Sequence, residues 1–244
     1  MIGRFRSGDN IFYGEIENGR VYPNGVTSVG TFELSELRVL PPSFPSKIVC
    51  VGLNYKDHAE ELSMGLPETP VLFLKPPSAV IGHGDKIIYP ASSSRVDYEA
   101  ELAVVIGKRC KNISAEKAED VIAGYTCFND VTARDLQQKD GQWTRAKSFD
   151  TFAALGPYIV STEEIDITDA KIFCRVDGET RQASSTSNLI FDIPYLIEFI
   201  TEIMTLEVGD VIATGTPSGV GEMQRGDTVE VEIQGIGTLR NEVV

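Results

Sequence analysis

The chain has no run of about 18 to 20 apolar residues, the length a helix needs to cross a bilayer. Its first residues, Met1-Ile2-Gly3-Arg4-Phe5-Arg6, lack the apolar stretch of a secretory signal. A soluble, cytoplasmic protein is expected. Cysteine is sparse: Cys50, Cys110, Cys127 and Cys174 lie far apart, form no C-x-x-C pair and mostly sit in apolar runs such as Ile48-Val49-Cys50-Val51. That excludes a disulfide frame and a zinc site, and predicts four buried thiols. Basic residues are scarce too, 22 Lys and Arg against 36 Asp and Glu, for a formal net charge of −14. Nucleic acid and anionic membrane are therefore excluded as main partners. There are two histidines, His58 and His83, and His83 sits in a Gly-flanked turn that reads as structural. The glycine-rich loop Thr214-Gly215-Thr216-Pro217-Ser218-Gly219-Val220-Gly221 lacks the Gly-Lys-Ser/Thr ending of a P-loop, which removes the usual case for nucleotide binding.

What is present suffices for a folded core: 42% of the 244 residues are hydrophobic. The length allows one large domain, or a main domain with a small appendage. Residues 1 to about 40 read as short strands, with Asn18-Gly19 as a hairpin turn. The stiff connector Leu40-Pro41-Pro42-Ser43-Phe44-Pro45 marks a boundary, giving a small N-terminal β domain over 1–44 and a main domain over 45–244. Beyond it, strands are predicted over 47–51, 71–74, 86–89, 96–106, 125–129, 157–160, 171–176, 211–214 and 229–233. Helices are predicted over 57–64 and 193–204, and over 115–123 with Ser114 as cap and Gly124 as stop. Gly124, Gly156 and Gly178 read as caps and turns. Strands do not alternate regularly with long helices, so a doubly wound sheet is excluded. The fold class is β-rich α+β, a curled mixed β architecture with peripheral helices and a small N-terminal β appendage.

The most informative local pattern is Val96-Asp97-Tyr98-Glu99-Ala100-Glu101-Leu102-Ala103-Val104-Val105-Ile106. In a strand, side chains alternate between faces. Val96, Tyr98, Ala100, Leu102, Val104 and Ile106 then form a core face, while Glu99 and Glu101 share the other, above Ala103 and Val105. Two carboxylates at the mouth of a buried strand need a cation or a proton between them. A divalent metal answers that need; two solvated glutamates on a half-exposed strand are the alternative. Asp130, at the end of the strand 125–129, can supply a third oxygen ligand to a hard ion, or serve as a turn residue. Lys147 can balance three carboxylates and bind an oxyanion, or lie at the surface. His58 and Glu61 are i, i+3 neighbours on a helix, so the carboxylate can orient the imidazole as a base. In the glycine-rich loop, backbone amides and the Thr216 hydroxyl can form a carboxylate nest, or simply a flexible turn.

Six segments, in order, resemble the fumarylacetoacetate hydrolase family. They are Val51-Gly52-Leu53-Asn54-Tyr55-Lys56-Asp57-His58, Phe73-Leu74-Lys75-Pro76-Pro77-Ser78, Asp97-Tyr98-Glu99-Ala100-Glu101-Leu102, the stretch from Tyr125 through Asn129-Asp130 to Arg134-Asp135, Lys147-Ser148-Phe149-Asp150, and the glycine-rich loop. The resemblance covers roughly residues 45 to 244, with a looser match of the first forty to bacterial and archaeal members. It implies a mixed β-sandwich roll, usually a homodimer. It implies Mg2+ or Mn2+, with Ca2+ possible chemically, held by Glu99, Glu101 and Asp130. It also implies His58 and Glu61 as a water-activating pair on a segment that closes over the site. Lys147 is the further catalytic residue, and Lys75, Arg134, Gln137 and Thr216 contact substrate or shape its pocket. The substrate implied is a small 2-oxo acid with a second carbonyl or carboxylate, reacting through an enolate that the metal and Lys147 stabilise. The layout resembles the 2-hydroxyhepta-2,4-diene-1,7-dioate isomerase and decarboxylase subgroup, with a C–C hydrolase of the acylpyruvase type beside it. Oxaloacetate decarboxylation is the alternative within the family. A non-catalytic metal- or ligand-binding protein on the same fold is the alternative outside enzymology. A metal-dependent phosphoryl-transfer enzyme is disfavoured by the lack of a phosphate loop and a basic groove.

Overall fold

The computed structural model describes residues 1–25 and 30–244. Among the described residues, twelve strands form a main sheet whose central order is Ile2–Ser7, Ala153–Val160, Ile122–Asp130, Ala100–Ile106, Val211–Ala213, Ile48–Gly52 and Val71–Lys75. Beyond Ile2–Ser7 the sheet continues through the hairpin strands Asn10–Glu17 and Arg20–Pro23, joined at the expected Asn18-Gly19 turn. The N-terminal strands keep a small core of Phe5, Val21 and Leu37, and meet the main body through the pair Ile2↔Ile159. A five-stranded sheet (Glu179–Ser185, Lys171–Val176, Thr228–Ile233, Gly237–Val243, Lys86–Ile87) and a three-stranded one (Thr132–Ala133, Val96–Tyr98, Gly221–Met223) complete the β structure. Among the described residues, four short α-helices, α1 Lys56–Glu61, α2 Arg134–Asp140, α3 Thr144–Lys147 and α4 Ile193–Ile203, lie around the sheets. The β-rich class with mixed sheets and few helices is thus the observed one.

The predicted alternation along 96–106 is observed. Val96, Tyr98, Ala100, Leu102, Val104 and Ile106 all enter the main core, with Ile172, Val231 and the α4 residues Leu196, Ile197 and Ile200. Ala103 and Val105 point the other way, into a second cluster with Ile48, Cys50, Phe128, Leu155 and Val211. With both faces buried, the segment shows no polar stripe below Glu101. One detail differs from the expectation of a single strand. Val96–Tyr98 and Ala100–Ile106 belong to different sheets, and Glu99 sits at the step between them.

The expected helix over 115–123 does not form. Residues Ala115–Lys117 and Glu119–Val121 make single 3-10 turns, Ser114 caps neither through its side chain, and the chain is already a strand at Ile122. Pairing of Ile122–Asp130 with Ala100–Ile106 overrides a local preference that is weak in any case. Gly124 therefore lies inside a strand, not at a helix stop. Its φ is +153°, and a Cβ there would sit 2.2 Å from the Val160 carbonyl oxygen. Only glycine permits that approach, at the register shift between Ile122–Asp130 and Ala100–Ile106 and just before the one with Ala153–Val160. Gly156 is likewise inside a strand, whereas Gly178 is in a turn. All four cysteines are buried and free, and no helix among the described residues is long and apolar enough to cross a membrane.

Candidate active site

Register brings the three acidic residues together. Ala100 faces Asn129 and Glu101 faces Phe128 across the antiparallel ladder, and the Asp130 amide donates to the Glu99 carbonyl at 2.9 Å. Asp130 thus lies opposite Glu99, and directly opposed residues share a face. One oxygen from each of Glu99, Glu101 and Asp130 lies within 4.8 Å of the others. All three residues are buried, with exposures of 6%, 2% and 0%.

Their surroundings are unequal. The Lys147 ammonium, at the end of α3, bridges Glu99 (2.9 Å) and Asp130 (2.7 Å). The Arg134 guanidinium pairs with Glu99 and with Asp97, while Lys75 pairs with Asp130 and donates to the Val131 carbonyl at 3.0 Å. Glu101 has no ion-pair partner among the described residues and accepts one backbone bond, from Gly215 at 2.8 Å. Gly215 brings its amide there with φ +101°, packed where a Cβ would meet Asn54 at 2.8 Å. Burial pushes the Glu101 carboxyl well up, and the neighbouring Asp130 and Glu99 charges push it further. Burial acts the same way on Glu99, but Lys147 and Arg134 overcome it and hold that carboxyl below the usual range. Burial pulls on Lys147 as well, and is outweighed by Asp130 and Glu99, so this ammonium is held above the ordinary lysine range. At Lys75 burial prevails over the attraction of Asp130, and its pKa falls.

An all-oxygen, buried donor set with one carboxylate short of a counter-charge fits a hard divalent ion. These residues can hold such an ion through Glu99, Glu101 and Asp130, with Lys147 at its side.

The three carboxylates open onto a cavity of about 320 Å³ that is also lined by His58, Arg134, Gln137, Lys147 and Thr216. Val51, Leu62, Met64, Phe73 and Trp143 supply its apolar wall. Trp143 meets Phe73 edge-on at 5.1 Å, and Lys147 Nζ lies 4.9 Å from the Phe73 ring centre. The i, i+3 spacing puts Arg134 and Gln137 on one side of α2, where Nη1 donates to Oε1 at 2.5 Å. On α1, His58 Nδ1 is 2.9 Å from Glu61 Oε2. A carboxylate there makes Nδ1 the protonated nitrogen and leaves Nε2 as the base. Glu61 also accepts from the Gly219 amide at 3.0 Å, so the glycine-rich loop steadies the pair.

Of the residues singled out in the sequence, Lys75 and Glu61 do not line this cavity; Lys75 lies behind Asp130, with an exposure of 1%. Glu61 reaches the cavity only through His58. The sequence reading passed over Asp97, Asn129, Thr132 and Gln182, which hold these groups in place. Gln182 lies in Glu179-Thr180-Arg181-Gln182-Ala183-Ser184-Ser185, whose polar composition carries no strand signal. A larger cavity, about 710 Å³, lies near Tyr125, Leu189 and residues 162–168; no Lys, Arg or His lines it and the carboxylate cluster is elsewhere. The chemistry belongs to the smaller one.

Comparison with known proteins identifies the family. The family model described as Fumarylacetoacetate (FAA) hydrolase C-terminal matches residues 47–244. Oxaloacetate tautomerase YisK of Bacillus subtilis is 45% identical over 234 residues, covering 91% of this chain and 78% of the relative. The crystal structure of 5-carboxymethyl-2-hydroxymuconate delta-isomerase from Mycobacterium smegmatis is 46% identical, covers 100% of this chain and 98% of its own, and superposes with a TM-score of 0.93. Maleylpyruvate hydrolase from Sphingobium sp. SYK-6, in complex with manganese(II) and pyruvate, is 28% identical with the same coverage and a TM-score of 0.85. The chain belongs to the fumarylacetoacetate hydrolase family of enzymes.

Proposed function

We propose that this enzyme acts on small 2-oxo acids carrying a second carbonyl or carboxylate, with Mg2+ or Mn2+ held by Glu99, Glu101 and Asp130. The observation that carries this reading is the juxtaposition, in one cavity, of a buried carboxylate trio and an imidazole oriented by Glu61. A bound divalent ion supplies Lewis acidity toward a 2-oxo group. The remaining work falls to the chain. Lys147 stabilises the negative oxygen as an enolate develops. Arg134, Gln137 and Thr216 hold the carboxylate ends. His58, through Nε2, moves the proton between carbon and site, or takes one from a water that attacks a distal carbonyl.

The names of the relatives support the common step. A tautomerase and an isomerase each require a proton to leave one atom and return at another, and the hydrolase complex contains manganese and pyruvate. Within this scheme we assign isomerisation and decarboxylation of 2-hydroxyhepta-2,4-diene-1,7-dioate, or acylpyruvase-type C–C hydrolysis. Tautomerisation or decarboxylation of oxaloacetate is the second reading, favoured by the relative that is 45% identical. The working form is proposed to be a homodimer, which light scattering after size exclusion measures directly. The test of function is a panel of acylpyruvates, oxaloacetate and the heptadienedioate, assayed with Mg2+, with Mn2+ and with chelator. Turnover of at least one acid, abolished by chelator and restored by metal, is the expected result. No metal-dependent turnover across the panel would overturn it.

A further inference from the structure

Where the chain steps from one sheet to another at Glu99, two successive amides turn to side chains. Glu99 N–H donates to Asn129 Oδ1 and Ala100 N–H to Gln182 Oε1, both at 3.0 Å. The other end of the Gln182 amide, Nε2, donates to the Pro217 carbonyl at 2.8 Å and to Thr216 Oγ1 at 2.9 Å. Gln182 is 1% exposed, so water does not compete for these bonds. The amide has one possible orientation, because a main-chain N–H only donates and a main-chain carbonyl only accepts. It follows that Thr216 Oγ1 is the acceptor in its bond with Gln182. A hydroxyl is ordinarily ambivalent, donor or acceptor as its neighbour requires. At Thr216 the ambivalence is removed: the oxygen receives from Gln182, and its own proton has no protein acceptor among the described residues. Thr216 lines the cavity with the carboxylates.

We propose that Gln182 is a positioning residue that fixes Thr216 as a hydrogen-bond donor into the cavity, and so selects a substrate end that presents an oxygen acceptor, a carboxylate. The proposal rests on the 2-oxo acid reading above for the identity of that end. The same side chain joins the step at Glu99–Ala100 to the loop carrying Thr216, so one amide sets the spacing between the carboxylate trio and the group that receives the substrate's acid.

Two measurements test it. In a neutron map of the deuterated wild-type protein, both Gln182 deuterons should point to Pro217 O and Thr216 Oγ1, and the Thr216 deuteron into the cavity. A Thr216 deuteron aimed at Gln182 would overturn the proposal, with no variant and no substrate involved. Kinetics with oxaloacetate and Mg2+ form the second arm, with Mn2+ affinity followed by calorimetry. Thr216→Val should raise KM about tenfold and Gln182→Met about fivefold, the losses expected for a bond to a charged group and for its orientation. For both, kcat should stay within about threefold and Mn2+ affinity within about twofold, as expected of groups that bind the acid and not the metal. The double variant should match Thr216→Val alone, since Gln182 acts through that hydroxyl. Independent KM losses that multiply in the double variant, or a fall in kcat and Mn2+ affinity with KM unchanged, would show a merely structural role. Absence of wild-type turnover would count against the substrate reading, while the neutron map still decides the role of Gln182.

Discussion

Glu99 and Glu101 share a face and are two residues apart, yet their electrostatic situations are opposite. Glu99 is held by Lys147 and Arg134, and Glu101 has no cation partner among the described residues. Neutralising each should therefore give different results. Glu101→Gln removes an uncompensated buried charge, so thermal stability without metal should hold or rise, while Mn2+ affinity by calorimetry falls at least tenfold. Glu99→Gln takes one of two carboxylate partners from the buried Lys147 and from the part-buried Arg134, which keep Asp130 and Asp97, and unfolding without metal should cost about 2 kcal/mol less than in the wild type. Equal effects on metal-free stability would contradict the assignment of charges. For the imidazole, His58→Ala should lower kcat/KM for an acylpyruvate about 100-fold or more, the worth of a general base. Mn2+ affinity should stay within twofold of wild type, since His58 is not among the carboxylate donors. Unchanged hydrolysis would remove His58 from the mechanism. The acidic pair was legible because a period of two places it on one face with no further information. Lys75 was not: a lysine after an apolar run looks the same in sequence whether it reaches a cavity or, as here, lies behind Asp130.

The elements that carry the site were unevenly readable, and the reason is physical. Ile48–Gly52, Lys171–Val176 and Thr228–Ile233 are short apolar or alternating runs whose type depends on themselves alone. The α4 helix likewise announces itself, with Asp192 accepting from the Tyr195 amide at 2.9 Å and Pro194 in its first turn. By contrast, Ile122–Asp130 starts where residues 115–123 suggested a helix, because the partner strand 100–106 decides the outcome. The α2 and α3 helices span only 7 and 4 residues, too short for a helical period to show. Gly124 gives the clearest test at this scale. A cap or turn glycine tolerates alanine at a modest cost, but here φ is +153° and the Val160 oxygen blocks a Cβ. Gly124→Ala should lose about 3 kcal/mol or more, from backbone strain together with the displaced strand. For a chain of this size that is a fall of about 6–12 °C in Tm. A loss under 2 °C would mean that the close approach to Ala153–Val160 is not needed.

At the scale of the whole molecule, the order of predicted strands and helices was enough for the β-rich class, because strands without alternating long helices leave few architectures. It could not give the sheet order, where Ile48–Gly52 lies beside Val211–Ala213 in parallel although far apart in sequence. What aligns these strands is Asp210, which is fully buried. Its carboxylate accepts from the amides of Ser46 (2.8 Å), Lys47 (3.1 Å) and Glu207 (2.8 Å) and the Ser46 hydroxyl (2.7 Å), and pairs with the Lys47 ammonium. It thereby pins the end of the proline-rich connector against the turn before Val211. Burial alone would raise the Asp210 pKa; the bonds from Lys47, Glu207 and Ser46 outweigh it, and the carboxyl is held below the ordinary aspartate value. The sign follows from linkage: a carboxyl with a lower pKa folded than unfolded contributes full stability above the unfolded value, near pH 4. That contribution is lost as pH falls through the folded value. Asp210→Asn should therefore be less stable than the wild type by about 2 kcal/mol at pH 7, the worth of a charged, hydrogen-bonded buried group. The difference should persist at pH 5 and shrink below pH 4, where the wild type loses its own carboxylate. Thermal unfolding of both proteins from pH 7 to pH 3 measures this gap. A gap that widened on acidification would reverse the assigned sign and detach Asp210 from the register of the central strands.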